Sequence, residues 1–147
     1  MSAEFLDSNV FVYLFDETDA RRREIALRLV QEGLESGDSC ISFQVVQETL
    51  AVLTGKLKRR ATPADARRFL GGVLAPLWRV MPSPALYERG LELQERYSLG
   101  FYDALIVAAA LEAGCKRLWS EDMQDGLRVD RLTIRNPFAT RAPALSP

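Results

Sequence analysis

The chain has 147 residues and a formal net charge of −1, with 48% of its residues hydrophobic and 27% charged. This composition suits one packed domain and excludes long disorder, while a charge so near zero leaves any nucleic-acid binding to local patches. The absence of histidine excludes histidine general bases, Ser-His-Asp triads and His-containing zinc sites together, so the available chemistry is that of carboxylates.

In chain order, AEFLD (3–7) predicts a short buried strand. Asp19 then caps a helix whose apolar positions Ile25, Leu27, Leu29, Val30 and Leu34 end near Gly37. CIS (40–42) reads as a second strand leading into a helix from 43 to about 54, which Gly55 stops. Thr62, Pro63 and Asp65 form the start of another helix, and WRVMP (78–82) returns as a strand closed by proline. Two further helices are expected, over about 85–97 and from 102 to about 113. The second is apolar nearly all round and therefore buried. KRLWS (116–120) and RLTIR (131–135) complete the strands.

Strands alternating with helices predict an α/β fold, a three-layer α/β/α domain with a parallel sheet of about five strands and right-handed crossovers. We expect one domain over 1–139 and a loose tail over 140–147. No basic leader precedes an apolar run, and the longest apolar stretch, 104–111, is too short to span a bilayer, so a cytoplasmic protein with no membrane contact is expected. Cys40 and Cys115 read as small core residues in a reducing compartment.

Four acids, Asp7, Glu48, Asp103 and Asp122, stand just past a strand end or on the helix that follows. In an open parallel sheet that is where ligands bind, so residues far apart in sequence can converge there. Each has a structural explanation by itself. Asp7 can cap a helix, Asp103 can meet the dipole of a first turn, and Asp122 and Asp125 lie in SEDMQDG, a turn-like segment. Glu48 fits less well as a solvating residue, because Val45 and Val52 place it at the border of its helix's apolar face. Four such acids together would repel by roughly 1 to 4 kcal/mol per close pair. A hard cation, Mg2+ or Mn2+, would relieve that repulsion and could orient a water toward a phosphate.

With these residues in view, the chain resembles the PIN-domain family, and within it the VapC-type ribonuclease toxins of toxin–antitoxin pairs. The likeness covers residues 3–138 and rests on FLDSNVFVYLF, VVQETLAVL, YDALIVAAAL, LWSEDMQDG and TIRNPF, in that order and spacing. The resemblance implies a Mg2+-dependent endoribonuclease that leaves a 5′-phosphate and a 3′-hydroxyl. It also implies a homodimer and a cognate antitoxin whose C-terminal segment occupies the acidic groove.

By similarity Asp7, Glu48, Asp103 and Asp122 fall on the family's acidic quartet, with Asp7, Asp103 and Asp122 holding metal and Glu48 polarising the attacking water. Asn9 and Ser120 match its supporting polar residues, and Asp125 is an alternative to Asp122. Lys56, Lys58, Arg59 and Arg60 lie between two helices that the family uses as a clip, where they would touch RNA or antitoxin. Arg21, Arg22 and Arg23 form a second basic cluster, read as a solvated helix face, and Tyr13 and Phe15 are assigned either to base stacking or to the core or dimer.

Two rival readings remain at this stage. One keeps the fold as a catalytically silent RNA-binding or scaffolding module. The other is a phosphoacceptor receiver, which needs a lysine beyond its last strand, whereas this chain has only Lys56, Lys58 and Lys116.

Overall fold

The computed structural model describes residues 2–57 and 61–140. Strand β1 (Glu4–Leu6) leads into the short helix α1 (Ser8–Val12) and a tight 3-10 turn, Tyr13–Phe15. Helix α2 (Ala20–Ser36) begins where the Asp19 carboxylate accepts the Arg22 N–H at 3.1 Å, and ends at Gly37, whose φ of 70° needs a residue without Cβ strain. Strand β2 (Ser39–Ser42) is buried at every position and runs directly into α3 (Phe43–Ala51).

Helix α4 (Pro63–Phe69), capped by Thr62, continues through a widened turn into α5 (Ala75–Leu77) and strand β3 (Trp78–Val80). Ser83 caps α6 (Pro84–Tyr97), and α7 (Phe101–Glu112) follows it closely. Strands β4 (Arg117–Trp119), β5 (Arg128–Val129) and β6 (Leu132–Arg135) finish the sheet.

Among the described residues the sheet has six strands in the order β3-β2-β1-β4-β6-β5, parallel except for the β5–β6 pair. The chain winds outward from β1 to β2 and β3, then returns to lay β4 on the other side of β1. The direction of winding therefore reverses between β1 and β4, and a crevice opens beyond their carboxyl ends.

The core follows from the alternation of strand residues. Phe5, Leu118 and Ile134 are fully buried, as is the run Ala104 to Ala110 of α7. Gly90 allows α6 and α7 to pack closely, because a Cβ there would stand 2.7 Å from Leu105 Cδ2. Gly33 does the same for α2, where a Cβ would come within 2.9 Å of Ser39 Cβ. Both cysteines are buried free thiols, with their Sγ atoms 3.6 Å apart. No helix among the described residues is long and apolar enough to cross a membrane.

The structure amends the sequence reading in four places. The sheet gains β5, a two-residue strand folded back on β6 by the turn at Asp130 and Arg131, with Asp130 at φ 53°. Asp7 leaves β1 and becomes the N-cap of α1, a helix too short to show a hydrophobic period. Gly55 does not stop α3. It lies inside a π-type turn, Val52–Lys56, and the chain becomes extended at Leu57. Finally, in the cluster Arg21 to Arg23, Arg22 is tied to Asp19 and Glu121, Arg21 to the Phe138 carbonyl and Arg23 to the Leu14 carbonyl, so these arginines anchor α2 to its surroundings.

Candidate active site

Asp7 is the most constrained acid in the molecule. Its position immediately after β1 puts it at the mouth of the crevice, 3% exposed, with one carboxylate oxygen on the Ser8 N–H at 2.7 Å and the other accepting the Ser120 hydroxyl at 2.7 Å. The capping reading is thus true but incomplete. Burial, reinforced by the negative charges of Glu48 and Asp122 and opposed by the bonds from Ser120 and Ser8, pushes its pKa up to about 7.

The other three acids reach the same crevice from different elements. Glu48 comes from the middle of α3, where its carboxylate accepts the Ser8 hydroxyl at 3.1 Å. Asp103 stands in the first turn of α7. It is half-buried, and burial, followed by the charges of Asp122 and Glu48, raises its pKa. Asp122 follows β4 and accepts the Asn9 amide at 3.1 Å. Among the described residues none of the four makes an ion pair with arginine or lysine.

Asn9 of α1 and Ser120 tie the segment after β1 to the loop after β4. The Asn9 side-chain carbonyl accepts the Glu121 N–H at 3.3 Å, and the Ser120 oxygen, fully buried, accepts the Asp122 N–H at 3.2 Å while donating to Asp7. Asp125 is engaged elsewhere. Its carboxylate accepts the Asn136 N–H at 2.9 Å and pairs with Arg135 at 3.4 Å, fastening the loop to the end of β6. Asp122 thus stands close enough to Asp7 and Asp103 for its charge to act on both, while Asp125 ties the loop to β6.

Tyr13 and Phe15 are occupied by internal packing. The Tyr13 ring meets Phe138 edge-on at 4.8 Å and its hydroxyl donates to Glu121, while Phe15 meets Phe69 at 5.0 Å. Lys58, Arg59 and Arg60 lie outside the described residues, as does the side chain of Lys56.

Two polar residues that the sequence reading passed over belong to this site. Ser8 links Asp7 to Glu48 through one hydroxyl. Gln44 is 5% exposed and donates to the Tyr102 carbonyl at 3.1 Å, with a longer contact of 3.4 Å to Glu48, so it joins α3 to the start of α7 beside Asp103. Its spacing four residues before Glu48 on one helix face was the available signal.

The donor set is all hard oxygen, with no thiolate or imidazole, and suits Mg2+ or Mn2+. Two of its members have raised pKa values because burial and like charges oppose their ionisation, which is the imbalance a bound cation corrects. Among the described residues no three acids stand at ion-holding spacing.

A family model for the PIN domain matches residues 5–130. No curated protein is a significant match in sequence. Among solved structures, a toxin–antitoxin complex from Klebsiella pneumoniae matches at a TM-score of 0.65 and 22% identity, over 92% of this chain and 98% of its own. VapC20 of Mycobacterium tuberculosis, described as a sarcin-ricin loop cleaving toxin, matches at 0.58 and 24%, over 82% and 92%. VapBC2 of Rickettsia felis, solved with a DNA fragment from its promoter, matches at 0.63 and 18%, over 91% and 98%. At these identities the structural likeness speaks for the fold.

Proposed function

This chain belongs to the PIN-domain family, and we propose that it is a Mg2+-dependent endoribonuclease acting as the toxin of a toxin–antitoxin pair. The observation that carries this reading is the meeting of four carboxylates, unpaired by any described cation, at the point where the sheet reverses its winding. The solved toxin–antitoxin proteins with the same fold support the biological role.

In this reading Asp7, Asp103 and Asp122 would hold the ion. When bound, Mg2+ or Mn2+ supplies neutralisation of charge at the phosphate and a water of lowered pKa. Glu48, fixed by Ser8 and Gln44, accepts the proton of the attacking water. Attack of the resulting hydroxide on phosphorus breaks the bond to the 3′ oxygen, which takes up a proton from solvent water, leaving a 3′-hydroxyl and a 5′-phosphate. Ser120 and Asn9 keep Asp7 and Asp122 in register across the crevice, and Tyr102, 67% exposed beside Asp103, offers a ring to a flanking base.

One observation favours a second reading, a silent RNA-binding module: no trio of described acids is preformed at ion-holding spacing. The two readings separate on one experiment. Purified protein should cut labelled RNA with Mg2+ or Mn2+, stop on addition of EDTA, and leave products that carry a 5′-phosphate. RNA that binds but stays intact at every metal concentration would select the silent module.

A further inference from the structure

Strands β4, β5 and β6 carry a second feature that the acidic crevice does not use. Arg117, Trp119, Arg128 and Arg135 project from one face of these strands and, with Lys116 and Arg131, line an open trough of about 700 Å3. Their strand neighbours Leu118, Val129, Leu132 and Ile134 point the other way into the core. Among the described residues the lining of the trough comes from these strands, the hairpin turn and Lys116, with no residue from a helix. Asp130, the single acid among the described residues that line it, is already paired with Arg89 at 2.7 Å.

We propose that this sheet face binds the phosphates and bases of a single-stranded RNA segment flanking the bond cut at the acidic crevice. The choice of RNA as ligand rests on the nuclease reading above.

Three observations carry the proposal. Glu4 and Asp125 partly neutralise Arg117 and Arg135, whereas Lys116, Arg128 and Arg131 are exposed and make no ion pair among the described residues. A chain of net charge −1 therefore gathers a local excess of positive charge on one open surface.

The trough also holds an aromatic. The Arg117 guanidinium lies 5.2 Å from the centre of the Trp119 ring, whose Nε1 is held by Glu4 at 3.0 Å, so a flat cationic and aromatic platform is fixed in place. Bases stack on such platforms without regard to sequence.

Finally, the trough leads to the catalytic loop. Ser120 follows Trp119 directly and donates its N–H to the Arg135 carbonyl at 3.0 Å, so roughly 10 Å of strand separates Arg117 from the Ser120–Asp122 loop. Basic residues on an edge strand can merely prevent edge pairing. Arg117 and Trp119 lie on β4, inside the sheet, where no such protection is needed.

The test is anisotropy of a labelled 20-nucleotide oligouridylate with the full chain in EDTA, where cleavage cannot interfere. The triple variant Lys116→Glu, Arg128→Glu and Arg131→Glu should bind at least tenfold more weakly. The slope of log affinity against log salt should fall by about 2, the effect of three lost phosphate contacts on a single strand. In a Trp78→Phe background Trp119 is the only tryptophan left, and its emission should change on binding.

With Mg2+, cleavage of a tetranucleotide should be unchanged in the triple variant, while KM for a long RNA rises at constant kcat. Undiminished oligouridylate binding by the variant would overturn the proposal even if the protein cuts RNA. A duplex bound as well as the single strand would overturn the role of the Arg117 and Trp119 platform. If an acidic peptide but not RNA binds in a way the variant abolishes, the face belongs to a protein partner and the proposal falls. If the wild type cuts nothing, the nuclease reading fails separately, and the binding measurement still decides the trough.

Discussion

Asp7 concentrates the energetics of the site in one side chain, and its protonation gives a prediction with a definite sign. In the unfolded chain an aspartate titrates at about 3.9, whereas the native Asp7 keeps its proton until about pH 7. Between those values the native state binds more protons than the unfolded state, so this group makes stability fall as pH rises, by a few kcal/mol in all. Melting temperature in EDTA should therefore decline from about pH 4 to about pH 7 by an amount that Asp7→Asn removes, and a wild-type profile indistinguishable from the variant's would contradict it. Asn caps about as well as Asp, so Asp7→Asn should melt at or above the wild-type temperature without metal. It should lose most of the metal-dependent gain, which for the wild type is about 2.7 kcal/mol at a hundredfold excess of Mg2+ over its Kd. Asp7, Asp103 and Asp122 stood out in the sequence by their places after a strand or at a helix start, and Glu48 by its place at the border of an apolar helix face, whereas Asn9 and Ser120 entered only through the family resemblance. Ser8 was not legible, since its importance lies in a bond across 40 residues of chain that no local pattern reports, and for Gln44 the sequence offers only its spacing from Glu48, not its bond to Tyr102 across 58 residues.

At the scale of elements, the crevice depends on how closely helices approach the sheet. Gly33 is the clearest example, because an added Cβ would meet the Cβ of Ser39, an atom that cannot swing aside as a side-chain tip can. Gly33→Ala gains about 1 kcal/mol in helix propensity and loses about 1 to 3 kcal/mol to overpacking. We expect a net loss on the order of 1 kcal/mol in urea denaturation, and a stabilised variant would show that α2 can lift from β2 freely. The long elements were readable from caps and periodicity: Asp19 and Gly37 bound α2, and Thr62 opens α4. The short ones were not. α1 has five residues and β5 two, and such lengths carry neither a 3.6 nor a 2.0 period, being set by the tertiary contacts of Asp7 and by the turn at Asp130.

For the whole molecule, the parallel order of β3, β2, β1, β4 and β6 could be expected from alternating strands and helices, but the reversal between β1 and β4 became visible only in the folded chain. That reversal is what gathers the acids. The family resemblance also leads us to expect a homodimer, for which the exposed Leu27 and Leu34 of α2 and Tyr87 and Leu91 of α6 offer apolar surface. Light scattering should give twice the chain mass, and Leu91→Glu should shift it toward the monomer without a change in fold; a monomer at all concentrations would remove the dimer. The central claim, that converging carboxylates make this chain a metal-dependent ribonuclease, is tested most directly by comparing wild type and Asp103→Asn on one end-labelled RNA, with EDTA and then with excess Mg2+. The account predicts that Mg2+ restores cleavage by the wild type and that Asp103→Asn stays folded but inactive, its rate at least a hundredfold lower, as for loss of a group that stabilises charge in the transition state. Equal cleavage by both proteins, or cleavage that persists in EDTA, would contradict it.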